Sequence, residues 1–483
     1  MARPPRRLSH PRLFMHRPRH AITVPLCAWL ALTASSASGQ QPATEGGAPA
    51  ASESTKGAPA SPPPAESLST EGGPLTLEQA VQLAAKRNEV ALAAEQQSEA
   101  ARARLARARA FFFPELTGTG TYTRRLNEVT REVGGQTVVI QRNNAFNANF
   151  VASLPLFDAR GIFLYRAARR DGDAAELEAV EARRQIGFEA ANAFLATLAQ
   201  EQVYRAAEQR LAFARQSLQD ASARAKAGLA SSNDVTRAEL EAASAEVQMS
   251  NARNAAQTTR LELGFLLVSS VKGTLASPDV LLSDASRPLQ AHASLADGAL
   301  DRRPDILAAR LRVDALEESA KEPLARLLPT LGASATYRLT NEAGLAGRTG
   351  DGFLGVNLIW NFFDGGERYA ERRERVALAR AAELQVQATT RRVDVDIEQA
   401  RVALENAQAA LAQSDLAVRT ARQNAEEQGI LYRQGLSTAL TVADASLRQF
   451  EAEVAYAQSR FALGVALLGL RAAVGLDPLG KEP

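Results

Sequence analysis

The sequence states one plan twice, and this duplication limits the possible folds more than any other feature. Arg109-Ala-Phe-Phe-Phe-Pro114-Glu-Leu-Thr-Gly118 has its counterpart in Arg326-Leu-Leu-Pro329-Thr-Leu-Gly-Ala333. Leu156-Phe157-Asp158 is answered by Phe362-Phe363-Asp364, and Ala227-Gly228-Leu229 by Gln434-Gly435-Leu436. The step from Phe157 to Gly228 is 71 residues, and that from Phe363 to Gly435 is 72. Two halves, about 75–278 and 295–476, therefore share one order: helix, strand, loop, strand, very long helix, Gly-Leu turn, long helix.

The strand segments alternate with period two, the mark of a sheet with one apolar and one polar face. Leu331, Ala333, Ala335, Tyr337 and Leu339 point one way; Gly332, Ser334, Thr336, Arg338 and Thr340 point the other. Leu354, Val356, Leu358, Trp360 and Phe362 oppose Asn357 and Asn361, and Phe146, Ala148, Phe150, Leu154 and Leu156 oppose Asn147, Asn149 and Ser153. Thr117, Thr119, Thr121 and Thr123 oppose Leu116 and Tyr122. Each run has the length that a tilted strand needs to cross a bilayer, about ten residues. Aromatic residues gather at the ends, at Phe111–Phe113, Phe157, Trp360, Phe362 and Phe363, where interfacial girdles sit. A soluble sandwich fits poorly, because the strands come as two isolated hairpins. Between the strands and the Gly-Leu turns, residues 159–226 and 365–434 are rich in Ala, Glu, Arg, Gln and Leu and hold no proline. Such a run spans about 100 Å as one helix. Taken alone, these helices fit a long coiled coil equally well.

The composition narrows the function. The chain has 483 residues and a formal net charge of +2, with basic and acidic residues interleaved, which gives no support to nucleic-acid binding. Residues 1–39 read as a secretory signal: a basic start, an apolar run from Ala21 to Ala34, then Ser35-Ser36-Ala37-Ser38-Gly39. The only cysteine, Cys27, lies in that run behind Leu26, so the mature chain is expected to be cysteine-free and without lipid. Residues 40–73 form an Ala/Pro/Ser-rich leader without a core. His292 is the one histidine beyond the leader, and neither a phosphate loop nor paired dinucleotide glycines occur. No catalytic, cofactor or metal site is expected, so energy for any transport must come from a partner.

Four amphipathic strands cannot close a barrel, for which about eight is the practical minimum. Open edges are not tolerated in lipid, where unpaired backbone groups cost several kcal/mol each. Several copies must therefore pool their strands. The doubled Pro114/Pro329, Phe157-Asp158/Phe363-Asp364 and Gly-Leu turns, with Arg303-Pro304-Asp305-Ile306, resemble the TolC family of outer-membrane efflux proteins over nearly all of 75–476. The resemblance implies a homotrimer with a twelve-strand barrel in outer-membrane lipid and a twelve-helix tunnel across the periplasm. It also implies a periplasmic adaptor and an inner-membrane pump as partners.

The expected organisation is a first repeat at 74–279, with strands 114–126 and 145–157 and long helices 159–227 and 232–269. A connector follows at 280–294. The second repeat covers 295–476, with strands 329–340 and 353–363 and helices 365–434 and 438–473, before a tail at 477–483. Gly228, Leu229, Gly435 and Leu436 are the expected helix-tip turns and adaptor contacts. The resemblance assigns Asp444 to a periplasmic aperture, and Asp234 and Tyr432 to polar links that hold it shut. Ser437 stands where the family has a basic partner and Thr441 where it has an acid, which predicts a weaker or differently built closure. Asp158 and Asp364 are expected helix caps, and Arg303-Pro304-Asp305 a helix start. A duct for type I protein secretion or metal efflux is the alternative within the family, and a periplasmic coiled-coil scaffold the alternative outside it.

Overall fold

A computed structural model describes residues 74–288, 296–342 and 348–482. The expected signal and leader, His292 and residues 289–294 of the expected connector lie outside the described residues, as does part of the second strand-to-strand loop.

The first repeat opens with two helices, α1 (Leu77–Arg87) and α2 (Glu89–Ala110). Thr76 and Gln79 form a capping box at the start of α1. Asn88 ends α1, caps α2 by accepting from the Val90 N–H, and donates to the Leu266 carbonyl. Strand β1 (Glu115–Arg124) follows, then a hairpin of β2 (Val129–Val133) and β3 (Gln136–Gln141), then β4 (Asn144–Phe157). The helix α3 (Ala159–Lys226) has 68 residues and turns back into α4 (Ser232–Leu266). Two short helices, α5 (Asp279–Ala285) and α6 (Ala299–Arg302), precede the second repeat's α7 (Pro304–Ala325). Strands β5 (Thr330–Thr340) and β6 (Gly350–Ile359) lead into α8 (Glu367–Arg433), and α9 (Ala439–Ala473) returns.

The sheet joins the two repeats at its centre. Its order is β1-β4-β5-β6, antiparallel throughout, with β1 and β6 as open edges. The register collects the apolar residues on one face: Leu116 and Tyr122, Phe146 and Phe150, Leu331 and Tyr337, Leu354, Val356 and Leu358. The opposite face carries Thr117 to Thr123 at alternate positions, Asn147, Asn149, Ser334, Thr336 and Asn357. On the apolar face a Cβ at Gly118 would lie 3.4 Å from the Phe150 ring, and one at Gly352 3.1 Å from the Tyr337 ring. Aromatic rings thus lie across facing glycines and fill the sheet surface.

Two details depart from the sequence reading. The loop from Asn127 to Asn144 is itself a hairpin, turned at Gly134-Gly135 with φ of 62° and 83°. Two consecutive positive-φ residues are what a tight type I′ turn requires, and Gly-Gly supplies them without strain. The expected connector begins with α5, whose Leu281, Leu282 and Ala285 are buried in the main core. The register of β4 and β5 slips between Pro155 and Phe157, a bulge at the point where the chain leaves the sheet for α3.

That core sits midway along the long helices. Phe194 and Leu195 of α3, Val393 and Leu404 of α8, Leu263 of α4, and Leu463 and Leu467 of α9 are fully buried there, with Ile306 of α7. Close approach needs small residues: a Cβ on Gly464 would lie 3.1 Å from Leu195 Cδ1. Three arginines tie the end of α9 to this girdle. Arg184 donates to the Ala472 and Leu476 carbonyls at 3.1 Å, Arg303 to Ala473 at 3.3 Å, and Arg302 to Val474 at 3.5 Å. A helix C-terminus leaves such carbonyls unpaired and carries negative partial charge, so guanidinium groups satisfy both needs. The Arg303-Pro304-Asp305 start of α7 is thereby a clamp on the end of α9.

Candidate functional site

Away from the core, the far ends of α3–α4 and α8–α9 depend on local chemistry. Each long helix ends in the same six-residue motif. The Leu229 N–H bonds the Arg224 carbonyl at 2.9 Å and the Gly228 N–H bonds Ala225 at 3.0 Å. In the second repeat Leu436 bonds Leu431 at 2.8 Å and Gly435 bonds Tyr432 at 3.0 Å. Gly228 and Gly435 have φ of 72° and 78°, the left-handed geometry that this closure requires and glycine adopts without cost. Leu229 and Leu436 project outward, 80% and 72% exposed.

The helices that follow are capped from within. Ser231 accepts from the Asp234 N–H at 3.2 Å, and the Asp234 carboxylate accepts from the Ser231 N–H at 3.1 Å and its hydroxyl at 3.0 Å. Thr438 plays the Ser231 part for α9, accepting from the Thr441 N–H at 3.3 Å. Thr441, in place of an acid, meets Thr438 hydroxyl to hydroxyl at 2.8 Å, and Ser437, in place of a base, bonds Gln428 of α8 at 2.9 Å. Both departures are absorbed into turn chemistry. Asp444 lies a turn further along α9, over half exposed, and pairs with Arg448 at 3.0 Å.

One residue absent from the sequence reading links the two tips. Arg224, in the last turn of α3, donates to the Tyr432 carbonyl at 3.1 Å and to Arg433 at 3.4 Å, with its guanidinium carbon 4.5 Å from the centre of the Tyr432 ring. It therefore caps the C-terminus of α8 and stacks on its last aromatic residue at once. A basic residue ahead of a Gly turn is a legible C-terminal signal, but it points to the residue's own helix; that Arg224 serves another helix is visible only in three dimensions. Above it lies a cleft of about 300 Å³, lined among others by Phe213, Leu240, Tyr432, Leu440 and Val442 from all four long helices. Next along, Arg210 is buried, bonded to Gln248 and to Glu241 (2.5 Å) of α4, its guanidinium 5.3 Å from the Phe450 ring of α9. The helix pairs are joined at the tips by a few polar contacts around incompletely filled space.

The other end meets the sheet. Asp158 caps α3 by accepting from the Arg160 N–H at 3.0 Å. Asp364 acts from further back: Gly365 and Gly366 intervene in left-handed geometry, and its carboxylate accepts from the Gly366 and Arg368 N–H groups at 3.1 and 3.2 Å. No described helix is long and apolar enough to cross a membrane.

Comparison with known proteins agrees with this geometry. The sequence profile of the outer membrane efflux protein family matches residues 80–267 and 295–476, one stretch for each repeat. No curated protein matches the sequence. Among solved structures, the chain resembles the outer membrane protein VceC of Vibrio cholerae, with TM-score 0.68 and 20% identity over 84% of this chain and 97% of that one. A membrane protein from Pseudomonas aeruginosa gives TM-score 0.69 and 21% identity over 83% and 90%. The outer membrane channel CmeC of Campylobacter jejuni gives TM-score 0.68 and 16% identity over 83% and 85%. Duplicated hairpins, duplicated 100 Å helices and a profile match to both halves place this chain in the outer membrane efflux protein family, as the subunit of a TolC-like outer-membrane duct.

Proposed function

We propose that three copies close into one passive exit duct, with the gate at the helix tips and no catalysis by the chain itself. The observation that carries this reading is the sheet: four strands with a continuous apolar face and open edges at β1 and β6. In lipid, each open edge needs a partner strand. Pairing β6 of one copy with β1 of the next satisfies both, and three copies give twelve strands, enough for an open barrel. The long helices leave the sheet on one side, so the same threefold closure continues them as a periplasmic tunnel.

The tips at Gly228-Leu229 and Gly435-Leu436 are the surfaces offered to a periplasmic adaptor, and an inner-membrane pump supplies energy and chooses cargo. Tyr432, Asp234 and Asp444 belong to the resting gate. Arg224 supplies the cationic contact that Ser437 cannot. The test is to purify the full chain in mild detergent, measure its mass and record from planar bilayers. A trimer with a low resting conductance is the expected result. A monodisperse monomer that stays soluble without detergent would sink the duct.

A further inference from the structure

We propose that the membrane-proximal ends of α2 and α3 dock anionic phospholipid headgroups of the periplasmic leaflet. Between Glu99 and Glu115 the chain has Arg102, Arg104, Arg107 and Arg109 and no acid. Between Asp158 and Asp171 it has Arg160, Arg166, Arg169 and Arg170, again with no acid. Arg102 is held by Glu99 and Glu176, and Arg160 by Asp158. Arg104, Arg107, Arg109, Arg166, Arg169 and Arg170 are exposed and make no ion pair among the described residues.

The two helix ends are fixed side by side. Phe111 lies on Gly161, where a Cβ would come within 2.5 Å of its ring, and Phe112 meets Tyr165 edge to face at 6.4 Å. This contact brings both arginine clusters to one region and sets exposed Phe111–Phe113 between them and β1. Arg166 lies eight residues past the Asp158 cap, about 12 Å along the helix, and side chains on α3 lean back toward its N-terminus and the membrane. Arg166, Arg169 and Arg170 share a cleft of about 390 Å³ with Asp173 and Glu318, and Glu318 is already engaged by Lys321 at 2.7 Å.

The second repeat provides the internal comparison. At its equivalent junction, Glu322 and Glu371 both pair with Arg326 and Arg375, and the exposed Arg372 and Arg373 stand between Glu371 and Glu374, so acids are interleaved with the arginines. The first repeat keeps like charges together without such partners, and like charges at close range repel. Aromatic rings at the interfacial level with unpaired guanidinium groups just beyond them complement a surface of phosphodiester headgroups. This inference rests on the outer-membrane placement of the barrel.

Native mass spectrometry of the detergent-purified full chain tests it, with added phosphatidylglycerol, phosphatidylcholine or inorganic phosphate. Phosphatidylglycerol should bind at least tenfold better than phosphatidylcholine, and less well as ionic strength rises. Each Arg→Gln substitution at 166, 169 and 170 should weaken binding about fivefold, while R391Q, about 36 Å along α8 from its sheet end, should leave it unchanged. Equal retention of both lipids overturns the proposal, as does salt-independent binding by the unmodified chain or displacement of the lipid by inorganic phosphate. Unchanged single-channel conductance in R166Q/R169Q/R170Q shows the variant folded. Failure of the unmodified chain to form any channel would count against the duct, not the lipid surface.

Discussion

Removing the Arg224 side chain should open the tip. In Arg224→Ala the Tyr432 and Arg433 carbonyls lose their donor, and the Tyr432 ring loses the cation 4.5 Å from its centre. The stacking contact contributes about 0.5–1 kcal/mol at a site open to water. The 3.1 Å bond from a charged donor adds about 1 kcal/mol after allowing for partial exposure. About 1.5 kcal/mol per chain is a factor of about ten in the closed-to-open ratio. If the three tips of a trimer open together, the ratio falls about a thousandfold; if each opens alone, about tenfold. Resting conductance in planar bilayers measures it, with detergent-resistant trimers as the control for assembly. Arg224→Lys keeps the charge but loses the planar stack and forked donors, so it should fall between Ala and the unmodified chain. Tyr432→Leu removes only the ring and should raise conductance less than Arg224→Ala. Resting conductance within twofold of the unmodified channel for Arg224→Ala, with the trimer intact, would refute the latch.

Asp444→Asn should reduce cation preference and cation block in single-channel recordings while leaving assembly intact; because Arg448 already pairs with this carboxylate, a partial loss of preference is expected. Unchanged selectivity would reduce Asp444 to a surface ion pair. An arginine at Leu354, in mid-strand on the apolar face, should cost about 2–4 kcal/mol of barrel stability in urea titrations. Charge at Leu339 or Leu358, nearer the strand ends, should cost less, and Thr336 and Asn357 should accept it; equal tolerance on both faces would rule out a lipid-facing sheet. Arg210→Met should destabilise by about 3 kcal/mol, because Glu241 loses its partner beside a half-closed helix contact; the drop in thermal midpoint measures it. Burial pushes the Asp305 carboxyl up, but the Arg303 guanidinium bonded to it at 2.7 and 3.0 Å outweighs this and holds it below its ordinary value. A depressed carboxyl stabilises the fold above its unfolded pKa of about 4 and loses that contribution as pH falls through the lower folded value. The acid limb of an unfolding profile should therefore flatten in Asp305→Asn.

Much of the site was legible because it is built from short-range physics. Ala227-Gly228-Leu229 and Gln434-Gly435-Leu436 close their helices through bonds spanning six residues, so the residues alone specify the turn. The Ser231–Asp234 capping box is equally local, but any role of the Asp234 carboxylate across copies is not legible, since within the chain its bonds go to Ser231. The Gly134-Gly135 hairpin is also written in the sequence, as a glycine pair between two short runs rich in Val, Thr and Ile. The burial of α5 left no such sign, because Leu281 and Leu282 are too few to establish a period.

The duplication, the two-faced strands, the helices of about 100 Å and the need for partner strands are legible in the residues alone. Each follows from periodicity or from the cost of an unpaired backbone group, and neither depends on knowing what lies across the fold. Packing in three dimensions sets which strands meet at the centre, β4 with β5, and which helix end each arginine serves. Arg224 reaches a carbonyl 208 residues away, and Arg184 one 288 residues away. A long flexible side chain with several donors can satisfy any carbonyl within reach, so its type announces only that a partner exists, and packing alone chooses which.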